Sequence, residues 1–149
     1  MISKARIEDI TRIQELINYF ARRNVMLPRS LNELYENIRD FWVFEDRGRV
    51  IGCCALHISW QDLVEVKSLA VEKSKQKMGI GTRLVEVAIG EAKELGAKKI
   101  FVLTYQPGFF KQFGFKKIKT ASLPHKIWAE CINCPKFPDC QETAMIKKV

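Results

Sequence analysis

No apolar run in this sequence approaches the ~20 residues that a transmembrane helix requires. The first residues, Met1-Ile2-Ser3-Lys4-Ala5-Arg6, lack the apolar core of a signal peptide, so a cytoplasmic protein with no membrane partner is expected. Repeats, low-complexity segments and linkers are absent too, and 149 residues suit one domain spanning 1–149 with a core of its own. No aromatic-interleaved basic tract occurs, which argues against nucleic acid as the main partner. Neither Gly-x-Gly-x-x-Gly nor Gly-x4-Gly-Lys-Ser/Thr is found, so neither a Rossmann dinucleotide site nor a P-loop is indicated. The five cysteines lack an export signal beside them, which points to thiols or a metal site rather than an extracellular disulfide framework.

What is present is a soluble, basic composition. Hydrophobic residues make up 47% of the chain and its net charge is +8. Mean hydropathy is −0.13 and the pI is near 9.4. Such a balance favours anionic partners, among them a polyphosphate cofactor or an acidic metabolite.

The pattern along the chain is α/β (α+β). Residues 4–7 suit a short strand. Ile10, Ile13, Leu16, Ile17 and Phe20 then recur at helical spacing over 8–23, with Asn24 as an end. Ser30-Leu31-Asn32-Glu33 is a capping-box sequence opening a helix over 31–38, predicted to bury Leu31, Leu34, Tyr35 and Ile38. Residues 41–45, 50–59 and 63–71, with Asp46-Arg47-Gly48-Arg49 between the first two, read as a three-stranded antiparallel meander. Leu84, Val87, Ala88, Glu91 and Leu95 mark a helix closed by Gly96, and 99–103 is a strand reached by a parallel crossover. A short helix over 108–112 and a closing strand pair, 115–120 with 144–148, complete the reading.

Between the third meander strand and the long helix stands Gln76-Lys77-Met78-Gly79-Ile80-Gly81-Thr82. Two glycines at a strand-to-helix transition allow close backbone approach to a ligand. Behind them, the helix offers unpaired N–H groups and the positive end of its dipole, a setting suited to phosphate or pyrophosphate. An ordinary glycine-containing helix start is the alternative.

This order of elements resembles the GNAT superfamily of acetyl-CoA-dependent N-acetyltransferases. Gln76, Gly79 and Gly81 match its Gln/Arg-x-x-Gly-x-Gly/Ala signature. Val66-Lys67-Ser68-Leu69-Ala70-Val71 looks like the preceding strand, and Phe109-Phe110-Lys111-Gln112-Phe113-Gly114-Phe115 like the aromatic segment closing the cofactor site. The resemblance implies a mixed sheet of about six to seven strands flanked by about four helices. Leu27-Pro28-Arg29-Ser30, Leu103-Thr104, and Leu123-Pro124 with Trp128 also look like the short N-acetylglutamate synthases. Those enzymes acetylate the α-amino group of glutamate at the first step of arginine biosynthesis. The arginine-sensing kinase-like domain of the larger synthases would not fit in this length.

The resemblance assigns roles to residues. Acetyl-CoA would lie with its pyrophosphate on the N–H groups of Lys77, Met78, Gly79, Ile80, Gly81 and Thr82. Its pantetheine amides would pair with the backbone of Leu69, Ala70 and Val71 as an added strand, against Phe109 and Phe110. The Leu69 N–H would support the developing oxyanion. Lys75 and Lys77 either add charge or belong to a solvated loop. Glu65 is the candidate base, read as sharing a face with Leu63 and Leu69 where desolvation would raise its pKa; an ion pair with Lys67 is the competing reading. Arg29 is the first choice for an acceptor carboxylate, since a guanidinium grips it bidentately, with Lys67 and Arg39 behind it and local pairing the alternative. Phe109 and Phe110 stand where many relatives carry a proton-donating Tyr. Tyr105 is either that donor or a packing residue, and no general acid is assigned.

The segment Cys131-x2-Cys134-x5-Cys140, with His125 upstream, has one metal-like pair; zinc is a minority reading beside plain thiols or a local disulfide, so no metal is predicted. Pro135 and Pro138 stiffen this segment as a substrate-side lid or a homodimer contact. Cys53 and Cys54 are read as core and surface packing, and His57, with no partner at suggestive spacing, as structural. Rival readings are a GNAT enzyme acting on another amino acid, a polyamine or a protein N-terminus, and a non-catalytic acyl-CoA sensor.

Overall fold

The computed structural model describes residues 1–123 and 142–149. Among these residues the sheet has seven strands in the order β1-β2-β3-β4-β5-β7-β6, and four α-helices cover it. The strands are β1 (Ile2–Lys4), β2 (Phe41–Asp46), β3 (Arg49–Trp60), β4 (Leu63–Val71), β5 (Lys99–Thr104), β6 (Lys116–Lys117) and β7 (Thr143–Lys148). The helices are α1 (Ile10–Ala21), α2 (Leu31–Glu36), α3 (Ile80–Glu94) and α4 (Pro107–Lys111).

α1 buries Ile10, Ile13, Leu16 and Ile17 as its spacing requires. It gives way at Asn24, whose φ of +58° is one that asparagine tolerates better than most residues. α2 starts where the Ser30 Oγ accepts the Glu33 N–H at 3.1 Å. Glu33 does not complete a capping box; its carboxylate lies 3.4 Å from Arg29. Only Leu34 of α2 is buried, while Leu31 and Tyr35 are exposed, because the helix stops at Glu36 and meets α1 along one edge. β1 begins two residues earlier than expected, since Ile2, Ser3 and Lys4 pair with Phe44, Val43 and Trp42.

β2, β3 and β4 form the meander, joined first by a turn with Arg47 at φ +52° and Gly48 at φ +76°. β4 and β5 are parallel. β7 lies between β5 and β6, leaving β6 as a two-residue edge strand shorter than the predicted segment.

Two layers of side chains sandwich the sheet. α1 and α2 pack over Val43, Cys53, Ala55 and Ala70. α3 and α4 pack over Leu56, Val64, Val66 and Ile100 on the other face. Cys53 and Cys54 are both fully buried, one in each layer, so neither is the surface position expected. Burial pushes the Cys53 thiol up to about 12, with a backbone hydrogen bond at Ala70 and the Arg12 charge opposing it. Burial raises Cys54 as well. At neutral pH both behave as small apolar side chains.

α3 comes unusually close to the sheet at Gly52. A Cβ there would lie 3.1 Å from Leu84 Cδ1 and 3.2 Å from Ile80 Cγ2. The first turns of α3 therefore rest on bare β3 backbone. Gly52→Val should destabilise the protein by about 1–3 kcal/mol through overpacking, read as a lower denaturant midpoint; a midpoint equal to wild type would show that α3 is free to lift.

Candidate functional site

The site begins with a defect in β4. Val64 and Val66 belong to the α3 layer, so alternation places Glu65 and Lys67 on the α1/α2 face. Ser68 then has φ +55°, and two residues oppose one: Cys53 pairs with Ala70 while Ala55 pairs with Lys67. This is a β-bulge. Beyond it the faces are exchanged, with Ala70 in the α1 layer and Leu69 and Val71 against the α3 layer. Glu65 and Leu69 thus do not share a face, contrary to simple alternation. The Cys53 thiol donates to the Ser68 carbonyl at 3.4 Å, tying the bulge to the core.

The bulge also opens the sheet. β4 pairs with β5 only from Leu63↔Lys99 to Val66↔Val102. Past that point β4 stays with β3 and β5 stays with β7, through Thr104↔Thr143. The strands diverge, and Lys67, Ser68, Leu69, Leu103, Thr104, Tyr105, Gln106 and Glu142 line the gap. A larger cleft of about 380 Å³ adjoins it, walled by Leu69, Ala70, Val71, Lys75, Gln76, Lys77, Gly79, Ile80, Gly81 and Thr82. Leu69, Gln106, Phe109, Val25 and Met26 border both, so the two form one continuous groove. Phe109 is held edge-on by Phe110 and Phe113, at 5.1 and 5.3 Å between ring centroids.

One end of the groove is the start of α3. Lys77 at φ +65° and Gly79 at φ +81° wind the backbone into the helix. The Gln76 side chain donates to the Val71 carbonyl at 3.1 Å, closing the loop on itself. Glu72, directly after β4, accepts from Arg12 at 2.9 Å and from Arg49 at 2.8 Å, while Arg12 Nε donates to the Val50 carbonyl at 2.9 Å. The loop is thereby anchored to both α1 and β3. The N–H groups of the first turn and the α3 dipole suit that end to an anion. The diverged strands provide an extended polar slot leading away from it.

Most of the predicted residues converge on this groove. Leu69, Ala70, Val71, Gln76, Lys77, Gly79, Ile80, Gly81, Thr82, Phe109, Phe110 and Lys67 line it. The Met78 side chain is 66% exposed and lies outside the lining. Glu65 is buried at 9% exposure, just behind the wall made by its neighbours Val66 and Lys67. Arg29 does not line the groove; it is paired with Glu33, and its Nε is buried without a hydrogen-bond partner. Arg39 is exposed, and its carbonyl accepts from Lys4. Lys75 lines the groove at a 4.0 Å contact with Asp46. Thr104, Gln106, Glu142, Val25 and Met26 were not foreseen. Thr104 Oγ1 accepts the Gln106 N–H at 2.8 Å, a strand-end turn that residue type alone does not announce. Cys131, Cys134, Cys140 and His125 lie outside the described residues, among which no group of three potential metal ligands occurs.

The acetyltransferase (GNAT) domain model matches residues 37–117. An uncharacterized N-acetyltransferase of Chlorobaculum tepidum is 42% identical over 146 residues, covering 98% of this chain and 94% of that protein. An amino-acid acetyltransferase of Mycobacterium tuberculosis is 33% identical, covering 87% of this chain and 76% of its own length. The Neisseria gonorrhoeae N-acetylglutamate synthase, solved with coenzyme A and N-acetyl-glutamate, superposes with a TM-score of 0.91 at 26% identity. That match covers 99% of this chain but 34% of the synthase.

Gly79 offers a local test of the loop. Apart from its chain neighbours, no atom of the described residues lies within 4 Å of a Cβ built there, so the penalty is conformational. Gly79→Ala should cost about 1–2 kcal/mol from the left-handed backbone, and Gly79→Asn less. Equal thermal stability of Gly79→Ala and wild type would show that the loop rearranges freely.

Proposed function

The chain belongs to the GNAT acetyltransferase family, and we propose that it transfers the acetyl group of acetyl-CoA to the α-amino group of L-glutamate. The observation that carries this reading is the bulge at Ser68, which opens β4 from β5 beside the Gly79 anion site. The pyrophosphate of CoA is taken by the N–H groups of residues 77–82. Pantetheine enters the slot as an added strand on Leu69, Ala70 and Val71, with Phe109 and Phe110 against it. Gln76 contributes indirectly by closing the loop. This fits a small-molecule acceptor entering from the opposite side.

The reaction is direct amine attack on the thioester carbonyl. The C–N bond forms, the C–S bond breaks and CoA leaves as thiolate. The Leu69 N–H stabilises the oxyanion. Glu65, behind the groove wall, takes the ammonium proton through an intervening water. Lys67 lines the groove and is the cation proposed for an acceptor carboxylate. Arg29 would serve only by exchanging Glu33 for substrate. The glutamate assignment is supported by relatives named amino-acid acetyltransferase and by the synthase fold match.

Release of CoA measured across a panel of amino acids tests this directly. Glutamate should be the preferred acceptor, and Glu65→Gln should lower kcat by about 10²–10⁴-fold with the KM for acetyl-CoA unchanged. Preference for another amino acid would overturn the acceptor. Full activity in Glu65→Gln would overturn the base.

A further inference from the structure

The residues that border both parts of the groove form a collar where the wide cleft passes into the gap between β4 and β5. Leu69 of β4 and Gln106, just past β5, stand at its sides. Phe109 packs against the α3/α4 layer and Met26 against the α1/α2 layer, so these two close it from opposite faces of the sheet. Val25 lies beside Met26, and this aliphatic pair takes no part in the chemistry above. The fold nevertheless holds it in place from both ends. The Asn24 N–H donates to the Ala21 carbonyl at 3.0 Å and the Val25 N–H to the Phe20 carbonyl at 3.2 Å, with Asn24 at φ +58°. That pairing is a Schellman stop. It turns the chain at the end of α1 and brings Val25 back over the groove, where Phe20 also lines the cleft. At the far end of the connection the Gln14 amide donates to the Arg29 carbonyl at 3.2 Å, and Ser30 caps α2. Met26 is therefore a fixed wall, since swinging it aside would break its contact with the α1/α2 core.

The spaces on the two sides of the collar differ in size. The cleft holds about 380 Å³ and the gap about 130 Å³. For scale, an apolar cavity of about 150 Å³ takes one benzene ring. With pantetheine along Leu69, Ala70 and Val71 and the thioester oxygen at the Leu69 N–H, the thioester carbon lies at the collar. The acyl chain and the attacking amine must then share the gap, and Val25 and Met26 line it. We propose that Val25 and Met26 restrict the acyl donor to acetyl-CoA. A methyl group fits against them beside the amine; each further methylene has to displace Met26 from the core or the amine from the carbonyl. Selection of the donor thus resides in the connection after α1, apart from the loop that holds the pyrophosphate. The inference rests on the acetyl-transfer reading and extends it to the donor's chain length.

The test uses the full chain and compares acetyl-, propionyl- and butyryl-CoA with the amino acid that gives the highest wild-type turnover. One methylene against a fitted apolar wall changes kcat/KM by about 10–200-fold. Wild type should favour acetyl-CoA over propionyl-CoA within that range and use butyryl-CoA less still. Met26→Ala should reduce the acetyl preference by about tenfold, with the KM for the amino acid unchanged. Met26→Leu, a volume-conserving change, should keep the preference. Val25→Ala should shift the ratio in the same direction. It keeps the test decisive if Met26→Ala does not fold, because Val25 is 44% exposed. Equal use of acetyl- and propionyl-CoA by wild type, or an unchanged ratio in the folded alanine variants, would overturn the proposal. So would a raised KM for the amino acid at an unchanged ratio, which would make the pair a wall for the acceptor. The two readings fail separately. Transfer to an amino acid other than glutamate overturns that acceptor while the chain-length ratio is still read with the one preferred. Turnover of no acyl-CoA with any amino acid overturns both.

Discussion

A single backbone conformation, Ser68 at φ +55°, decides where everything else in the groove lies. One extra residue in β4 exchanges the faces of the strand after Lys67 and ends its pairing with β5 at Val66. The left-handed conformation of a non-glycine residue costs on the order of 1 kcal/mol. It is sustained by continued pairing of Ala70 and Val71 with Cys53 and Gly52, and by the Cys53 thiol on the Ser68 carbonyl. The strain is local and its consequence is functional. A continuous β4–β5 ladder would leave no room for an inserted ligand and no unpaired backbone for it to meet.

The second constraint is the placement of α3. Its N-terminus can serve as an anion site because Ile80 and Leu84 rest on Gly52, next to the bulge-bearing strand. Gln76 and the Arg12–Glu72–Arg49 cluster then hold the connecting loop from both sides. Individually such partly exposed ion pairs contribute little. Here their value is geometric, since both guanidiniums converge on the carboxylate that follows β4.

Much of this was legible in the sequence because it follows from periodicity and from glycine. β4 from Leu63 to Val71, the Gly79 start of α3, the Gly96 stop and the Ser30 cap all carry residue types that their conformations demand. The bulge was not legible. Ser68 has no side-chain property that requires positive φ, and without it alternation puts Glu65 and Leu69 on one face. For a similar reason His57 seemed isolated: its partner Asp40 is distant in chain spacing and is brought in by a 3-10 turn. Leu31 and Tyr35 misled because helical spacing marks a potential apolar face, not what covers it. Arg29, chosen for its chemistry, is captured by Glu33 one turn along.

Amide hydrogen exchange with and without coenzyme A tests the opened strand most directly. If the bulge exists to admit pantetheine, saturating CoA should slow exchange at Leu69 and Val71 together with residues 77–82, while β1 and β2 remain unchanged. Coenzyme A binding that protects residues 77–82 but leaves Leu69 and Val71 at their free rates would contradict insertion beside β4.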